Sequence, residues 1–285
     1  MNKVLILHNE ELTSAVFEYQ YESYKRAFEN LGVKADICPT SAYISALFEY
    51  GKNIEADKVI FLDKDVLAAS LIESKGIKVF NSSECIRVCD DKALTYITFY
   101  NKGIPIPKTI IAPKTYFKSQ TEKWCKKAGN LIGYPLVVKE CFGSLGKQVY
   151  LAKNESELLE TVEKIGTKPF VVQEYLEKGA GWDLRVITVG DEIIGAIKRS
   201  SIADFRANAA LGGNVEPITL CDEEKKLALA AAKACGAFFA GVDLILGDDG
   251  YKVCEVNSNM FFEAADKALG ISVATEVAKK IKTVV

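Results

Sequence analysis

Three side chains with oxygen ligands lie inside two apolar runs near the end of the chain. Asp243 lies in the first run, and Glu255 and Asn257 lie in the second. Since Glu255 and Asn257 are two residues apart, they face the same side of a strand. A carboxylate in a buried strand is costly unless it is paired or holds a metal. The three residues therefore predict a magnesium site, and protein-bound magnesium commonly contacts phosphates as well.

The turn between the two runs decides whether Asp243 faces Glu255. A four-residue loop puts Asp243 opposite Cys254, whereas a three-residue loop at 248–250 puts it opposite Glu255. Three-residue hairpin loops favour a left-handed residue at their third position, which here is Gly250. We therefore predict the three-residue loop, with all three oxygen ligands on one face of the hairpin.

A second set of residues is suited to phosphates. Lys139 lies near the end of an apolar strand, and the loop after it carries Gly143, Ser144 and Gly146. Backbone N–H groups of such a loop can face phosphate oxygens, and the lysine adds a positive charge. The loop is not a Walker A motif, because Gln148 follows the Gly-Lys pair where that motif needs Ser or Thr. Glycine-rich turns are most often only turns, so an ordinary turn is the alternative.

Two further segments carry polar groups that suit a nucleotide or a substrate. Glu174 and Tyr175 end an apolar strand, and Asp183 follows at a spacing that suits ribose hydroxyls. The alternative is a solvated strand end. A later loop that ends in two glycines carries Arg206 and Asn208, which could cover a site and stabilise developing negative charge. An ordinary connector is the alternative for this loop.

The segment after Asp183 reads as a hairpin. If Gly190 and Asp191 form a two-residue turn, Asp183 faces Lys198, and Arg185 shares their face. Such a charged face is either exposed to solvent or directed into a site.

The strand and helix patterns indicate three parts that position these side chains. Residues 1–90 alternate short strands with helices, which predicts a parallel α/β sheet. A middle α+β lobe over 91–172 and a C-terminal antiparallel α+β lobe over 173–285 follow. We expect the ligand cleft between these two lobes. One continuous helix is predicted from the capping residues 81–84 to about Lys102.

The whole chain excludes several classes of protein. Its 285 residues allow about two or three domains, and a formal net charge of −2 provides no basic excess for nucleic acid or an anionic membrane. No stretch approaches the roughly 18 apolar residues that span a bilayer. The apolar segment at the start is too short for a signal peptide, and the eight cysteines contain no CxxC pair, so we expect reduced thiols and a cytoplasmic location. The single histidine, His8, excludes a histidine-dependent triad, and Cys85 with Cys89 makes a poor zinc site.

The ordered set of motifs resembles the ATP-grasp superfamily, and more narrowly its RimK-type branch, the α-L-glutamate ligases. The resemblance covers residues 85–285 most strongly. It implies an ATP-grasp fold with an N-terminal α/β domain, a central lobe and a C-terminal antiparallel lobe. The matching motifs are Lys92, Val-Val-Lys139, the loop from Gly143 to Gly146, Gln173-Glu174-Tyr175, Asp183-Leu-Arg185, Phe205-Arg206-Ala-Asn208, Gly241-Val-Asp243 and Glu255-Val-Asn257.

The resemblance also implies the ligands and the reaction. ATP and two Mg²⁺ (or Mn²⁺) ions would bind, a carboxylate would attack the γ-phosphate to give an acyl phosphate, and an amine such as L-glutamate would displace phosphate. By the resemblance, the phosphates would be contacted by Lys92 and Lys139 together with the loop residues Gly143, Ser144 and Gly146, the adenine by Glu174 and Tyr175, and the ribose by Asp183. The metal ions would be bound by Asp243, Glu255 and Asn257. The transition state or the substrate would be contacted by Arg206, Arg199 and Asn208.

The alternatives to a glutamate ligase are a peptide- or dipeptide-forming ligase of the same superfamily and a non-catalytic nucleotide-binding module. The module is disfavoured, because the implied lysines and metal ligands are all retained. The carboxylate acceptor (a metabolite, a peptide or a protein tail) and the assembly of the chain into homo-oligomers stay open.

The chain departs from its closer relatives at two places. Alanines and a leucine, 209–211, precede the glycine pair where those relatives carry basic residues, and the run 258–262, Ser-Asn-Met-Phe-Phe, stands where they continue with proline and glycine. Both departures make the site less cationic and more aromatic. We expect the substrate choice of this chain to be set there.

Overall fold

The computed structural model describes residues 3–49, 56–117, 122–201, 205–206 and 213–284. None of the helices in these ranges has the length and apolar character that crossing a bilayer requires. The strands of the described part are β1 (Lys3–His8), β2 (Lys34–Pro39), β3 (Lys58–Leu62), β4 (Lys78–Phe80), β5 (Thr109–Ile111), β6 (Leu136–Glu140), β7 (Val149–Ala152), β8 (Phe170–Glu174), β9 (Trp182–Val189), β10 (Glu192–Ser200), β11 (Asn214–Pro217), β12 (Phe239–Gly247) and β13 (Gly250–Asn257). The helices are α1 (Ala15–Asn30), α2 (Thr40–Phe48), α3 (Val66–Ser74), α4 (Ser83–Asp90), α5 (Lys92–Asn101), α6 (Glu122–Ile132), α7 (Glu155–Ile165), α8 (Asp222–Ala234), α9 (Glu263–Leu269) and α10 (Val273–Thr283).

The first sheet is parallel, with the strand order β2-β1-β3-β4. Alternate residues of a strand face opposite sides, so β1 directs Val4 and Ile6 to a layer that contains α1 and α10. Leu5 and Leu7 face a second layer that contains α2 and α3. Burial on both sides explains why β1 and β3 read as continuous apolar runs. The predicted parallel α/β arrangement of the leading segment is therefore observed.

The two later sheets are antiparallel. The central sheet has the order β5-β8-β6-β7 and packs against α6 and α7, and the C-terminal sheet has the order β11-β10-β9-β12-β13. Strand β11 and helix α9 lie where no element was predicted. The domain limits predicted at residues 90 and 172 remain a prediction.

Side-chain alternation gives the C-terminal sheet two different faces. Leu184 and Val186 of β9 pack in an apolar layer with α4, α5 and α8. Asp183 and Arg185 face the other side, which at the far end of β9 is covered by α1 and α10 around Val189. The polar end of this second face is left for a ligand.

Helices α4 and α5 replace the single helix that was predicted up to about Lys102. Asp91 lies between them with φ −90° and ψ 104°, and its carboxylate accepts hydrogen bonds from the N–H groups of Ala93 (2.9 Å) and Leu94 (3.3 Å). The aspartate caps a new helix in preference to continuing the old one. The break puts Lys92 in the first turn of α5, where its N–H donates to the carbonyl of Cys141 just after β6 (3.0 Å).

An apolar core joins the first sheet to the C-terminal sheet. The ring of Tyr24 in α1 lies 6.1 Å from that of Phe239 in β12 and 5.5 Å from that of Phe262, measured between centroids. The amide of Asn81, just after β4, donates to the carbonyls of Phe239 and Ser258, each at 2.8 Å. These contacts fix the first sheet beside β12 and beside the segment that follows β13.

Candidate active site

A cavity of about 870 Å³ lies between the central and C-terminal sheets and extends to α1. All but one of the site residues predicted from the sequence line it, and the exception, Asn208, lies outside the described residues. The cavity lies in the predicted cleft between the two lobes. Pockets of this size hold small-molecule ligands.

Asp243 does face Glu255, but the predicted three-residue loop is wrong. At the tip of the hairpin Leu246 pairs with Tyr251 and Gly247 with Gly250, which is the register of the shorter, two-residue turn. A β-bulge between these pairs and Asp243 leaves Cys254 unpaired and shifts the register by one residue. The bulge, and not the turn, brings Asp243 opposite Glu255.

The predicted pairing of Asp183 with Lys198 is also wrong. The Gly190-Asp191 turn forms, but a register shift beside Ile193 places Asp183 opposite Arg199. Lys198 pairs instead with Leu184, and its ammonium lies 5.0 Å from the ring centroid of Trp182. The inserted residue moves every later side chain of β10 to the opposite face.

Four charged side chains form a buried cluster on the cavity face of this sheet. Arg185 donates twice to the carboxylate of Asp243, at 2.8 and 2.7 Å, and Arg199 lies 3.0 Å from the same carboxylate. Arg199 also donates to Asp183 at 2.7 Å. Bidentate pairs of this kind are strong and directional. Arg199 was predicted to contact substrate, but its guanidinium is already held between two carboxylates.

The cluster shifts the acidities of both aspartates. Burial acts to raise the pKa of Asp243, but the guanidinium groups of Arg185 and Arg199 outweigh it and hold that pKa below its ordinary value. Burial raises the pKa of Asp183 to about 6, although Arg199 acts to lower it. The two carboxyls of the cluster thus differ, with the pKa of Asp243 lowered and that of Asp183 raised.

The donor set of Asp243, Glu255 and Asn257 fits a magnesium ion that is completed by phosphate oxygens. Within the described part of the chain, the Glu255 carboxylate makes no hydrogen bond or ion pair. The amide nitrogen of Asn257 donates to Asp243 (3.2 Å) and to the carbonyl of Gly241 (3.3 Å), so its amide oxygen is left for another partner. No group of three or more His, Cys, Asp or Glu side chains suited to a metal occurs among the described residues. Two carboxylates and an amide are what magnesium uses when substrate phosphates supply the remaining ligands.

Lys139 projects from β6 across the cavity to β13. It is 7% exposed, and its ammonium lies 3.2 Å from the hydroxyl of Tyr96 and 3.5 Å from the sulfur of Cys254. Burial acts to lower the pKa of Lys139, but the acidic groups around it, first Cys254 and then Tyr96, raise it overall. A lysine at this place in the cavity is suited to a phosphate contact.

The glycine-bearing loop after β6 is a tight turn with no room for a side chain at Gly143. A Cβ on Gly143 would lie 2.5 Å from the side chain of Gln148, and the turn continues through Leu145 and Gly146 at φ 58° and 70°. The ammonium of Lys92 lies 3.5 Å from the carbonyl of Gly143. Arg206 donates to the carbonyl of Gly146 at 2.6 Å, so the C-terminal lobe closes over this loop from the other side.

The end of β8 forms the opposite wall of the cavity. The Glu174 carboxylate accepts from the N–H of Lys108 (2.7 Å) and from the ammonium of Lys252 (3.2 Å). Because β8 ends at Glu174, the backbone of Tyr175 leaves the hydrogen-bond ladder at the cavity. Backbone groups released in this way can serve a planar base.

Comparison with known proteins identifies the type of site. The model of the RimK-like ATP-grasp domain matches residues 89–281. The chain belongs to the RimK-like ATP-grasp family. As a member of this family it uses ATP, and it is an ATP-dependent carboxylate–amine ligase, as predicted. The predicted ATP-grasp fold class is confirmed by the three sheets and by the structural comparison below.

Two relatives and one solved structure illustrate the family. A probable alpha-L-glutamate ligase 2 of Shewanella amazonensis is 36% identical over 216 residues, which are 75% of this chain and 70% of the relative. N-acetylaspartylglutamate synthase A of Homo sapiens is 31% identical over 219 residues, which are 76% of this chain and 55% of the synthase, so the chain spans about half its length. The crystal structure of a RimK-domain ATP-grasp protein from Sphaerobacter thermophilus superposes with a TM-score of 0.75 at 19% identity, over 97% of this chain and 98% of that one.

The cavity and its immediate surroundings contain residues that were absent from the predicted set. Arg185 lies two residues after Asp183 on β9, and strand alternation could have added it. Tyr96 and Cys254 could not have been found in this way. Cys254 lines the cavity because of the bulge in β13, whereas Tyr96 lies behind the cavity wall and contacts Lys139 and Cys254. Neither the bulge nor these contacts has a local sequence pattern.

Proposed function

We propose that this RimK-like ATP-grasp ligase binds ATP with Mg²⁺ in the cavity and joins the amine of L-glutamate to a carboxylate substrate. The observation that carries the proposal is the gathering of three cations, Lys92, Lys139 and Arg206, and two oxygen ligands, Glu255 and Asn257, around a single cavity. Cations and hard oxygen ligands that line one cavity suit a magnesium-bound triphosphate.

The first half-reaction transfers the γ-phosphoryl group. An oxygen of the substrate carboxylate attacks the γ-phosphorus, a new oxygen–phosphorus bond forms, and ADP leaves with the electrons of the β–γ bridge. Lys92, Lys139 and Arg206 offset the negative charge on the phosphate oxygens, and the buried site holds the reacting groups in line. Mg²⁺ held by Glu255, Asn257 and Asp243 would supply further charge neutralisation at the phosphates.

The second half-reaction forms the amide. The neutral amine attacks the acyl carbon, the tetrahedral adduct expels inorganic phosphate, and the amine proton leaves to solvent. The adduct carries an oxyanion, which Arg206 and Asn208 are proposed to stabilise. Arg199 is assigned a positioning role, because its guanidinium bridges Asp183 and Asp243.

Glutamate as the amine is supported by the relatives. Both the probable alpha-L-glutamate ligase and the N-acetylaspartylglutamate synthase carry glutamate in their names, at 36% and 31% identity. A ligase that adds another amino acid, or acts on a peptide, is the alternative, and the mass of the product separates the two. We further propose that the enzyme acts on small-molecule or peptide substrates in the cytoplasm. The cytoplasmic location is in keeping with its eight free cysteines.

The test is mass spectrometry of products formed from a metabolite extract, ATP, Mg²⁺ and L-glutamate. We expect ADP release together with a product heavier than one extract acid by a glutamyl residue. Lys139→Met should lower ADP release at least about 100-fold, because it removes a buried charge opposite the phosphates. Lys153→Met, an exposed lysine of the same lobe, is the control and should leave the rate unchanged. ADP release that needs no amine, or unchanged activity of Lys139→Met, would contradict the proposal.

A further inference from the structure

We propose that the end of the cavity next to α1 is the subsite for the acyl substrate, and that it takes an apolar, ring-sized group attached to a single carboxylate. The inference deepens the proposed function and rests on it. Phe17 of α1 and Phe261 of the segment after β13 form the wall of this subsite, with Leu12, Val16 and Met260 beside them.

The two phenylalanines meet across the junction of the first sheet with the C-terminal lobe. Their ring centroids lie 4.9 Å apart with an interplanar angle of 82°. Edge-to-face packing of this kind is a favourable aromatic geometry. Both side chains remain partly exposed, and both line the cavity. They therefore offer apolar surface that a ligand can cover.

The segment that carries Phe261 is held rigidly. The amide of Gln20, 2% exposed, donates to the side-chain oxygen of Asn259 (2.7 Å) and to the carbonyl of Met260 (2.9 Å). On the other side of the segment, Asn81 donates to the carbonyl of Ser258 (2.8 Å). Both neighbours of Phe261 in the chain are 2% exposed. The ring of Phe261 is thus presented to the cavity by a fixed backbone, which lowers the entropic cost of binding.

The charges at this end of the cavity disfavour a second carboxylate. The ammonium of Lys64 is paired with Asp90 at 2.8 Å, and Glu263 is paired with Lys267 at 2.7 Å. Asp63 also lines the cavity, and within the described residues it makes no ion pair. A dicarboxylic acid would bring its second charge towards Asp63 and Glu263. Lys64 is already paired, and Lys92, which contacts the same carbonyl of Gly143, is assigned to the phosphates in the proposed function.

The apolar wall adjoins the charged centre of the site. A Cβ built on Gly241 would lie 3.2 Å from Nε of Arg185 and 3.2 Å from the side chain of Met260. Arg185, which pairs with Asp243, and Met260 of the apolar wall therefore both lie next to Gly241, close to each other. A substrate can place its carboxylate towards the phosphates while its apolar group lies on Phe17 and Phe261.

The test compares two acyl probes of similar backbone, N-acetyl-L-phenylalanine and N-acetyl-L-aspartate. Binding to the full-length protein is measured by calorimetry in the presence of Mg²⁺ and a non-hydrolysable ATP analogue. We expect the phenylalanine derivative to bind at least about ten-fold more tightly, as burial of a ring in an apolar subsite predicts. Phe261→Ala should remove most of that preference, and Phe17→Ala should do so independently from the other side of the wall.

Phe48→Ala is the matched control, since Phe48 is 75% exposed and does not line the cavity. Unchanged affinity for the ATP analogue in each variant shows that the fold is intact. Equal or tighter binding of the aspartate derivative, binding of neither probe, or a preference that survives in both variants would overturn the inference. If only N-acetyl-L-aspartate accepts a glutamyl group, the inference is overturned and the proposed function stands. If binding depends on Phe261 but no amine gives ADP release, the inference stands and the proposed function is overturned.

Discussion

At the scale of single residues, the cavity face of the C-terminal sheet balances its buried charges. Arg185 and Arg199 offset Asp243 and Asp183 through contacts of 2.7 to 3.0 Å. Glu255 makes no ion pair among the described residues, and the nearby charge that it interacts with is that of Lys139. Glu255 is partly exposed and lines the cavity, so its carboxylate is accessible to a cation that binds there. We therefore expect Glu255, which has no ion pair, to contribute more to metal binding than Asp243, whose carboxylate is already paired with two arginines.

Two tyrosines give opposite predictions for the same substitution. The hydroxyl of Tyr24 is buried and has no hydrogen-bond partner among the described residues, whereas the hydroxyl of Tyr96 donates to the carbonyl of Cys254 at 2.8 Å. We expect Tyr24→Phe to raise the free energy of unfolding by about 1 kcal/mol, because it removes an unsatisfied polar group. Tyr96→Phe should lower it by about 1 kcal/mol, because the partly buried carbonyl of Cys254 loses its hydrogen bond. Urea denaturation measures both, and equal shifts in the two variants would refute the assignment.

At the scale of elements, the strands of both C-terminal hairpins were predictable, but their registers were not. Turn chemistry alone puts Asp183 opposite Lys198, and a single inserted residue replaces that pair with Asp183 and Arg199. In the second hairpin the turn is shorter than predicted, and a bulge at Cys254 shifts the register by one residue so that Asp243 still lies opposite Glu255. Bulges depend on contacts distant in sequence, such as the one between Tyr96 and Cys254. A local pattern therefore identifies the metal-binding strands without fixing how they face each other.

The segment after β13 depends on one amide from the first sheet. Asn81 is 1% exposed, donates to the carbonyls of Phe239 and Ser258, and accepts from the N–H groups of Phe238 and Phe239. Asn81→Ala should lower the free energy of unfolding by about 3 kcal/mol, because several buried backbone groups lose their partner at once. Asn101→Ala, at an exposed position in α5, is the control and should change stability by less than about 0.5 kcal/mol. A loss for Asn81→Ala no larger than the control's would show that this amide does not secure the segment.

At the scale of the whole molecule, the order of the three sheets follows from the order of strand and helix patterns. The sequence also identifies the charged and polar side chains that converge on the cavity, because motifs at strand ends come together when the sheets face each other. How the first sheet docks on the C-terminal lobe was not predictable. The docking rests on packing between α1, α9, α10 and β12, where apolar side chains such as Tyr24 and Phe239 have no periodic relation to each other. That docking adds α1 to the cavity and creates the wall formed by Phe17 and Phe261.

The most direct test of the account is the magnesium dependence of ATP binding. Calorimetric titration of ATP into the wild-type protein should show binding that is strengthened by Mg²⁺. In Glu255→Gln the strengthening by Mg²⁺ should fall at least about ten-fold, because the charge that holds the ion is removed. Glu223→Gln, at an exposed position at the start of α8, should behave as the wild type. Binding of ATP in Glu255→Gln with undiminished dependence on Mg²⁺ would contradict the proposal that Glu255 is a metal ligand of this ligase.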